Sequence, residues 1–213
     1  MKIITLANQK GGCGKSTIVI NLALRLAQEG NRVVLLDTDP QRSSFDTIKV
    51  RKHRPIRVVA ARKNLYQNLQ KFENQYDYAI IDTPPHIEEV VSTSILSSDM
   101  VIIPVQDSPL DIRSTRKTVE LIGQAKKLNP QLKEYFLLCR VQPRTLLTKE
   151  LSEVLKERYE IEVLNSHISN RVAYKQSLIY GMGVSEFSQP DLAVDEISAL
   201  VNEIKKILMI DEN

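Results

Sequence analysis

The chain predicts an α/β fold, a doubly wound, mostly parallel sheet flanked by helices. Three observations carry this. Short apolar runs alternate with amphipathic stretches along most of the 213 residues. The runs are rich in Val, Ile and Leu with little polar alternation, as strands buried on both faces of a parallel sheet require. The first run leads through a glycine-rich loop into a long helical pattern, the unit from which such sheets are built.

Taken in order, strands are predicted over 2–7, 32–37, 57–60, 78–82, 100–104, 135–141 and 161–164. The helix over 16–29 places Ile18, Leu22 and Leu26 on one face, and Gly30 is a natural stop. Helices over 87–96, 112–128, 147–159 and 192–208 follow from the same periodicity. Ser108-Pro109 is a good helix start on chemistry alone, and Asp111 favours the N-terminal dipole. No internal repeat, low-complexity tract or linker breaks the alternation, so residues 1–213 are read as one domain.

The chain is 42% hydrophobic and 26% charged, the balance of a soluble protein with a real core. No apolar run approaches the roughly 18 residues of a membrane span, and Met1-Lys2 opens no signal peptide. The expected location is cytoplasmic. Cys13 and Cys139 lie far apart and are expected as free thiols. A formal net charge of +3 is too weak to argue nucleic-acid binding by itself. Residues 49–63 are noticeably basic (Lys49, Arg51, Lys52, Arg54, Arg57, Arg62, Lys63) and are read as a solvated surface loop.

Residues 7–17 read ANQKGGCGKST. Glycines before a helix let the backbone bend so that several N–H groups face an anion. Gly11, Gly12, Cys13 and Gly14 supply that cradle, and Gly14-Lys15-Ser16 matches the end of the GxxxxGK[ST] pattern. Lys15 is assigned to the β- and γ-phosphates, Ser16 to Mg²⁺ and Thr17 to the α-phosphate. Gln9 stands where the first glycine of the pattern belongs, and a second lysine, Lys10, precedes the glycines. Asp37 and Asp82 each end an apolar strand, where a carboxylate is poised over the phosphate loop. Both are assigned to the neighbourhood of Mg²⁺, a hard ion that keeps several waters. Arg140, at the end of a later strand, is placed to frame the adenine.

The run Lys10-Gly11-Gly12-Cys13-Gly14-Lys15-Ser16 resembles the deviant Walker A motif of the ParA/MinD ATPase family, within the P-loop NTPases. Asp37-Thr38-Asp39-Pro40-Gln41 resembles its Walker A′ segment, and residues 78–85 its Walker B. Residues 104–111 resemble its P-x-x-x-S-P-L-D turn, which implies a place for Asp111 near the dimer interface and nucleotide. Residues 168–171, 177–181 and 184–187 are similar to the C-terminal pattern of short plasmid-partition ParA proteins of the ParF type.

The resemblance implies an ATPase that binds ATP and Mg²⁺ and forms a sandwich homodimer, with possible polymers. Lys10 then reaches across to the partner's nucleotide, and Asp39 orients the attacking water. A cation supplied in trans is worth ~10³ to 10⁵ in rate in the GTPase cases. The dimer is expected on nonspecific DNA at the nucleoid. A ParB-like adaptor stimulates an otherwise slow hydrolysis, and the cargo is a plasmid or chromosome. No helix-turn-helix domain precedes the first strand, so operator binding is expected of a partner. Arg171 and Lys175 are the first candidates for DNA contact, then Arg116 and Lys117, with Arg113 and Arg144 beside them. Ala173 stands where some relatives carry arginine.

Three alternatives share the fold. One is a MinD-like membrane ATPase with a basic amphipathic C-terminal helix. Here residues 203–213 close on Asp211-Glu212, which anionic lipid disfavours, and Ile204, Ile207 and Leu208 are expected on the core. Another is a ParA-like ATPase that positions a protein cargo. The third, a metal-cluster carrier, lacks its C-x-x-C pair here.

Overall fold

Strand β1 (Lys2–Leu6) is buried at its carboxyl end and runs straight into the glycine loop. The structure is a computed structural model, described for residues 1–142, 145–187 and 191–209. After β1 come α1 (Lys15–Gln28), β2 (Val33–Asp37), α2 (Ser43–Lys49), β3 (Arg57–Ala60), α3 (Leu65–Phe72), β4 (Tyr78–Asp82) and α4 (Glu88–Leu96). The second half holds β5 (Met100–Val105), α5 (Pro109–Lys126), β6 (Lys133–Val141), α6 (Leu146–Tyr159), β7 (Val163–Ser169), α7 (Val172–Ile179), α8 (Val184–Phe187) and α9 (Leu192–Met209).

The seven strands form one sheet in the order β3-β2-β4-β1-β5-β6-β7. Every pairing is parallel. Successive strand residues point to opposite faces, and the packing follows that period. Ile4, Leu6, Leu35, Ile80, Ile102 and Leu137 pack against α1 and α9. On the other face Val101, Ile103, Phe136 and Leu138 meet α4, α5 and α6. Val34, Leu36, Ala79 and Ile81 meet α3. Full cover on both faces explains why β2, β4 and β5 are buried at every residue.

The last strand is a correction. It runs over Val163–Ser169 rather than 161–164. As the sheet's outer strand it pairs only with β6 and through an irregular register, so its polar Asn165, Ser166 and His167 hide it from an apolar reading. Helix α5 begins at Pro109 rather than 112, with Ser108 as its extended N-cap. Residues 49–63 are not one loop, since β3 forms the opposite outer strand inside them.

Candidate nucleotide-binding site

The site lies beyond the carboxyl ends of β1, β2, β4 and β5, where ligands of open α/β sheets bind. The loop after β1 is clipped at its start by buried Asn8. Its Nδ2 donates to Pro104 O at 2.7 Å, and its Oδ1 accepts from Lys10 N at 3.0 Å. Gly12 (φ 74°) and Gly14 (φ 98°) take left-handed backbone. Gly14 is the N-cap of α1 and supplies no side-chain cap, so no side chain covers the first N–H groups of that helix. Gln106 Nε2 donates to Gly12 O at 3.2 Å and ties the loop to the segment after β5.

Lys15 is nearly buried, at 6% exposure. Its Nζ donates to Asn8 O at 2.8 Å and Lys10 O at 3.1 Å, which holds the cation within the loop. Cys13 is buried with Sγ on Lys10 O at 3.3 Å, and burial pushes its thiol above the ordinary range. Both cysteines are free.

Asp37 and Asp82 are register partners on β2 and β4, and they divide the work. Both Asp37 oxygens are engaged by backbone, Oδ1 by Asp39 N and Oδ2 by Phe45 N, each at 2.9 Å. Asp37 therefore fixes the start of α2. Asp82 accepts from Ser44 at Oδ2, while Oδ1 is buried with no hydrogen-bond partner. Desolvation raises its carboxyl to about 7, against the opposing pull of the Ser44 and Ser16 hydroxyls.

An orphaned buried carboxylate oxygen beside a serine hydroxyl fits Mg²⁺. Ser16 and Asp82 would hold it, with Asp37 behind them, and phosphates and water would complete the shell. Among the described residues no three His, Cys, Asp or Glu side chains gather into a cage. Asp39 caps its own turn, with Oδ1 accepting from Gln41 N at 2.8 Å. It opens onto a cleft shared with Asp37, Arg42, Arg62 and Lys63.

Lys10 is paired with Asp111 of the same chain. Asp111 is wholly buried, and its second oxygen accepts from Gln106 N at 3.3 Å. Lys10 keeps 36% exposure and faces a groove lined by Gly11, His86, Arg113, Arg116 and Lys117. On the opposite side of the loop a small pocket joins Cys13, Thr17, Cys139, Arg140, Arg171 and Lys175. Arg140 sits there in left-handed backbone (φ 56°).

The candidate DNA residues are thus spread over two regions. Arg171 is bound by Glu196, whose other oxygen takes the Tyr174 hydroxyl at 2.9 Å. Arg116 pairs with Glu120 and Lys117 with Glu88. Lys175 lines the small pocket. Arg144 lies outside the described residues. Asn8, Ser44 and Gln106 were not singled out from the sequence. Ser44 had a signal, the second of two serines that follow Asp39-Pro40-Gln41-Arg42 at a helix start.

A family model described as the CobQ/CobB/MinD/ParA nucleotide binding domain matches residues 4–184. The maintenance of carboxysome distribution protein A of Halothiobacillus neapolitanus is 31% identical, over 94% of this chain and 95% of its own. The chromosome-partitioning ATPase Soj of Thermus thermophilus is 24% identical over 94% of each. In fold, apo McdA of Cyanothece superposes with a TM-score of 0.79 at 19% identity, covering 96% of this chain and 99% of that one.

Proposed function

Because this chain belongs to the CobQ/CobB/MinD/ParA nucleotide-binding family, we propose that it is a Mg²⁺-dependent positioning ATPase. ATP closes two copies into a dimer, the dimer holds nonspecific DNA at the nucleoid, and a ParB-like adaptor triggers a slow hydrolysis. The observation that carries this reading is Lys10. A second lysine stands at the lip of the phosphate loop, one-third exposed and facing an open groove. A cation at that place adds little to a monomer whose Lys15 already occupies the loop. It has a use if it leaves Asp111 for a phosphate across an interface.

In this reading the loop amides and Lys15 bind and orient the phosphates. Mg²⁺, when bound, neutralises charge on the transferred group. Ser16 and Asp82 hold that ion, Asp37 keeps α2 and Ser44 in place behind them, and Asp39 orients the attacking water. Arg140 borders the base. The Halothiobacillus relative, named for carboxysome distribution, favours a cargo other than DNA. Soj, named for chromosome partitioning, favours a chromosome. The adaptor decides between them, and the motor is the same in both.

A MinD-like membrane role is the poorer reading. The apolar face that a helix would lay in the lipid interface is, in α9, buried in the core. The test is co-sedimentation with nonspecific duplex DNA and, in parallel, with anionic liposomes. Each is run with ATP, with ADP and with Lys15→Ala. ATP-dependent binding to DNA alone supports the proposal. ATP-dependent binding to lipid alone overturns it in favour of the membrane reading.

A further inference from the structure

Residues 47–72 contain eight Lys and Arg and no Asp or Glu. The rest of the chain holds 21 basic and 26 acidic residues, so the modest net charge of +3 conceals a strongly polarised molecule. The fold gathers this segment at one place. It runs from the end of α2 through the outer strand β3 and along α3. Lys49, Lys52, Arg54, Arg57, Arg62, Lys63 and Lys71 are all exposed.

Among the described residues only Arg51 of the eight meets a carboxylate, that of Glu186. Arg116, Lys117 and Arg171, by contrast, each carry an acidic partner. A cation already neutralised by a carboxylate gains less from a phosphate and must first break its own pair. Lys175 and Arg113 also show no acidic partner among the described residues, but they stand apart, whereas seven such cations gather along the β3 edge. Two of them are pre-ordered, Lys49 at 4.1 Å from the Phe45 ring centre and Arg57 at 5.1 Å from that of Phe72.

We propose that this β3 edge is the surface that takes the phosphate backbone of nonspecific duplex DNA. The proposal rests on the DNA-binding reading above and gives it a location away from α7. Duplex is favoured over a lipid surface because the flanking helices turn their apolar faces inward. Ile48 of α2 and Leu65, Leu69 and Phe72 of α3 are buried; Val50 and Tyr66 are the large apolar side chains left exposed on this segment, too few for an apolar helix face to sink between headgroups. Arg62 and Lys63 also border the Asp39 cleft, so the DNA surface and the nucleotide site are contiguous.

The experiment is fluorescence anisotropy of a labelled nonspecific duplex with the ATP-bound full chain over a salt series. Wild type is compared with Lys52→Glu/Arg54→Glu, with the conservative Lys52→Arg/Arg54→Lys, and with Arg171→Ala/Lys175→Ala. Both reversed side chains are exposed, and an unchanged melting midpoint checks that the variant folds. The expected result is a loss of more than about tenfold in affinity for the reversal, with the salt slope reduced by about one per phosphate contact. The conservative pair keeps wild-type behaviour. Wild-type affinity and slope in the reversal variant overturn the location while leaving the DNA reading intact. So does a reversal variant that self-associates in ultracentrifugation yet binds DNA normally, which makes these charges guards of an open strand edge. Wild type that binds no duplex in any nucleotide state, but binds phosphatidylglycerol vesicles with ATP, removes the DNA reading and this surface together.

Discussion

Lys10 and Asp111 form an unequal pair, and the inequality gives a testable asymmetry. Asp111 is wholly buried, whereas Lys10 keeps a third of its surface. Lys10→Ala strands a buried carboxylate with only the long Gln106 contact, at a cost of roughly 3 kcal/mol. Asp111→Asn releases a lysine that water can solvate, at a cost of about 1 kcal/mol or less. Thermal melts of the nucleotide-free protein should show that order, with Lys10→Ala/Asp111→Asn recovering most of the loss. In the presence of the adaptor, Lys10→Ala should still bind ATP but lose stimulated hydrolysis. Full stimulated turnover in that variant would sink the trans-lysine role. Asp82 makes a second residue-level case. Burial raises its carboxyl to about 7, so the fold holds that proton more tightly than the unfolded chain, whose aspartates titrate near ~4. Without Mg²⁺ and nucleotide, this residue therefore costs increasing stability as pH rises from about 4 to 7, and the cost persists above. Asp82→Asn should melt higher than wild type at pH 8, by roughly 1–3 kcal/mol, lose that advantage near pH 4, and not hydrolyse ATP. A variant that melts lower at pH 8 would show that the orphaned oxygen carries no strain.

At the level of elements, α2 joins the metal side of the site to the C-terminal corner. Its start is fixed by Asp37 through Phe45 N and carries Ser44 to Asp82. Its far end meets Gly181, where an added Cβ would fall 2.5 Å from Thr47 O at a φ of +66°. Arg51, just beyond, reaches both Glu186 oxygens at 2.8 and 2.9 Å. Gly181→Ala should cost about 2 kcal/mol or more and expose residues 42–54 to proteolysis. Gly123→Ala, inside α5 with nothing within 4 Å, should instead gain ~0.5–1 kcal/mol. Equal melting midpoints for the two would refute the packing account. These same elements mark the limit of what the sequence showed. The glycine-rich loop between β1 and α1, both strand-end aspartates and six strands were legible because continuous apolar runs and glycine spacing are local signals. Helices α2, α3, α7 and α8 were not. They span only four to eight residues, too short for a clear period. They are held by tertiary contacts, such as Asp37 on Phe45 N for α2 and the apolar packing of α3 on β2 and β4, which no local pattern reveals. The Lys10–Asp111 pair was hidden for the same reason, with 101 positions between its members.

For the molecule as a whole, the decisive question is whether its last helix belongs to the core or to a membrane. Ile197, Leu200, Val201 and Ile204 of α9 have no exposed surface and share one cluster with β1, β2 and α1. Lys205 is held at 2.6 Å by Glu29, the C-cap of α1, and Lys133 donates to Ile207 O at 2.6 Å. A helix that lies in a lipid interface keeps its apolar stripe available, and here that stripe and Lys205 are committed to the core side. Residues 210–213, with Asp211 and Glu212, lie outside the described residues. Leu200→Ala opens a cavity beneath the strands that carry the site, so it should cost about 2–5 kcal/mol and lower the melting midpoint with or without vesicles. Removal of residues 192–213 should yield a chain that does not fold, because it uncovers the half of one sheet face that α9 shares with α1. A truncated chain that melts cooperatively, binds ATP and has lost only affinity for anionic vesicles would return α9 to the membrane. If the truncated chain does not fold, α9 is a core element as its burial requires, and the β3 edge, where seven cations have no acidic partner among the described residues, is the surface to test for DNA.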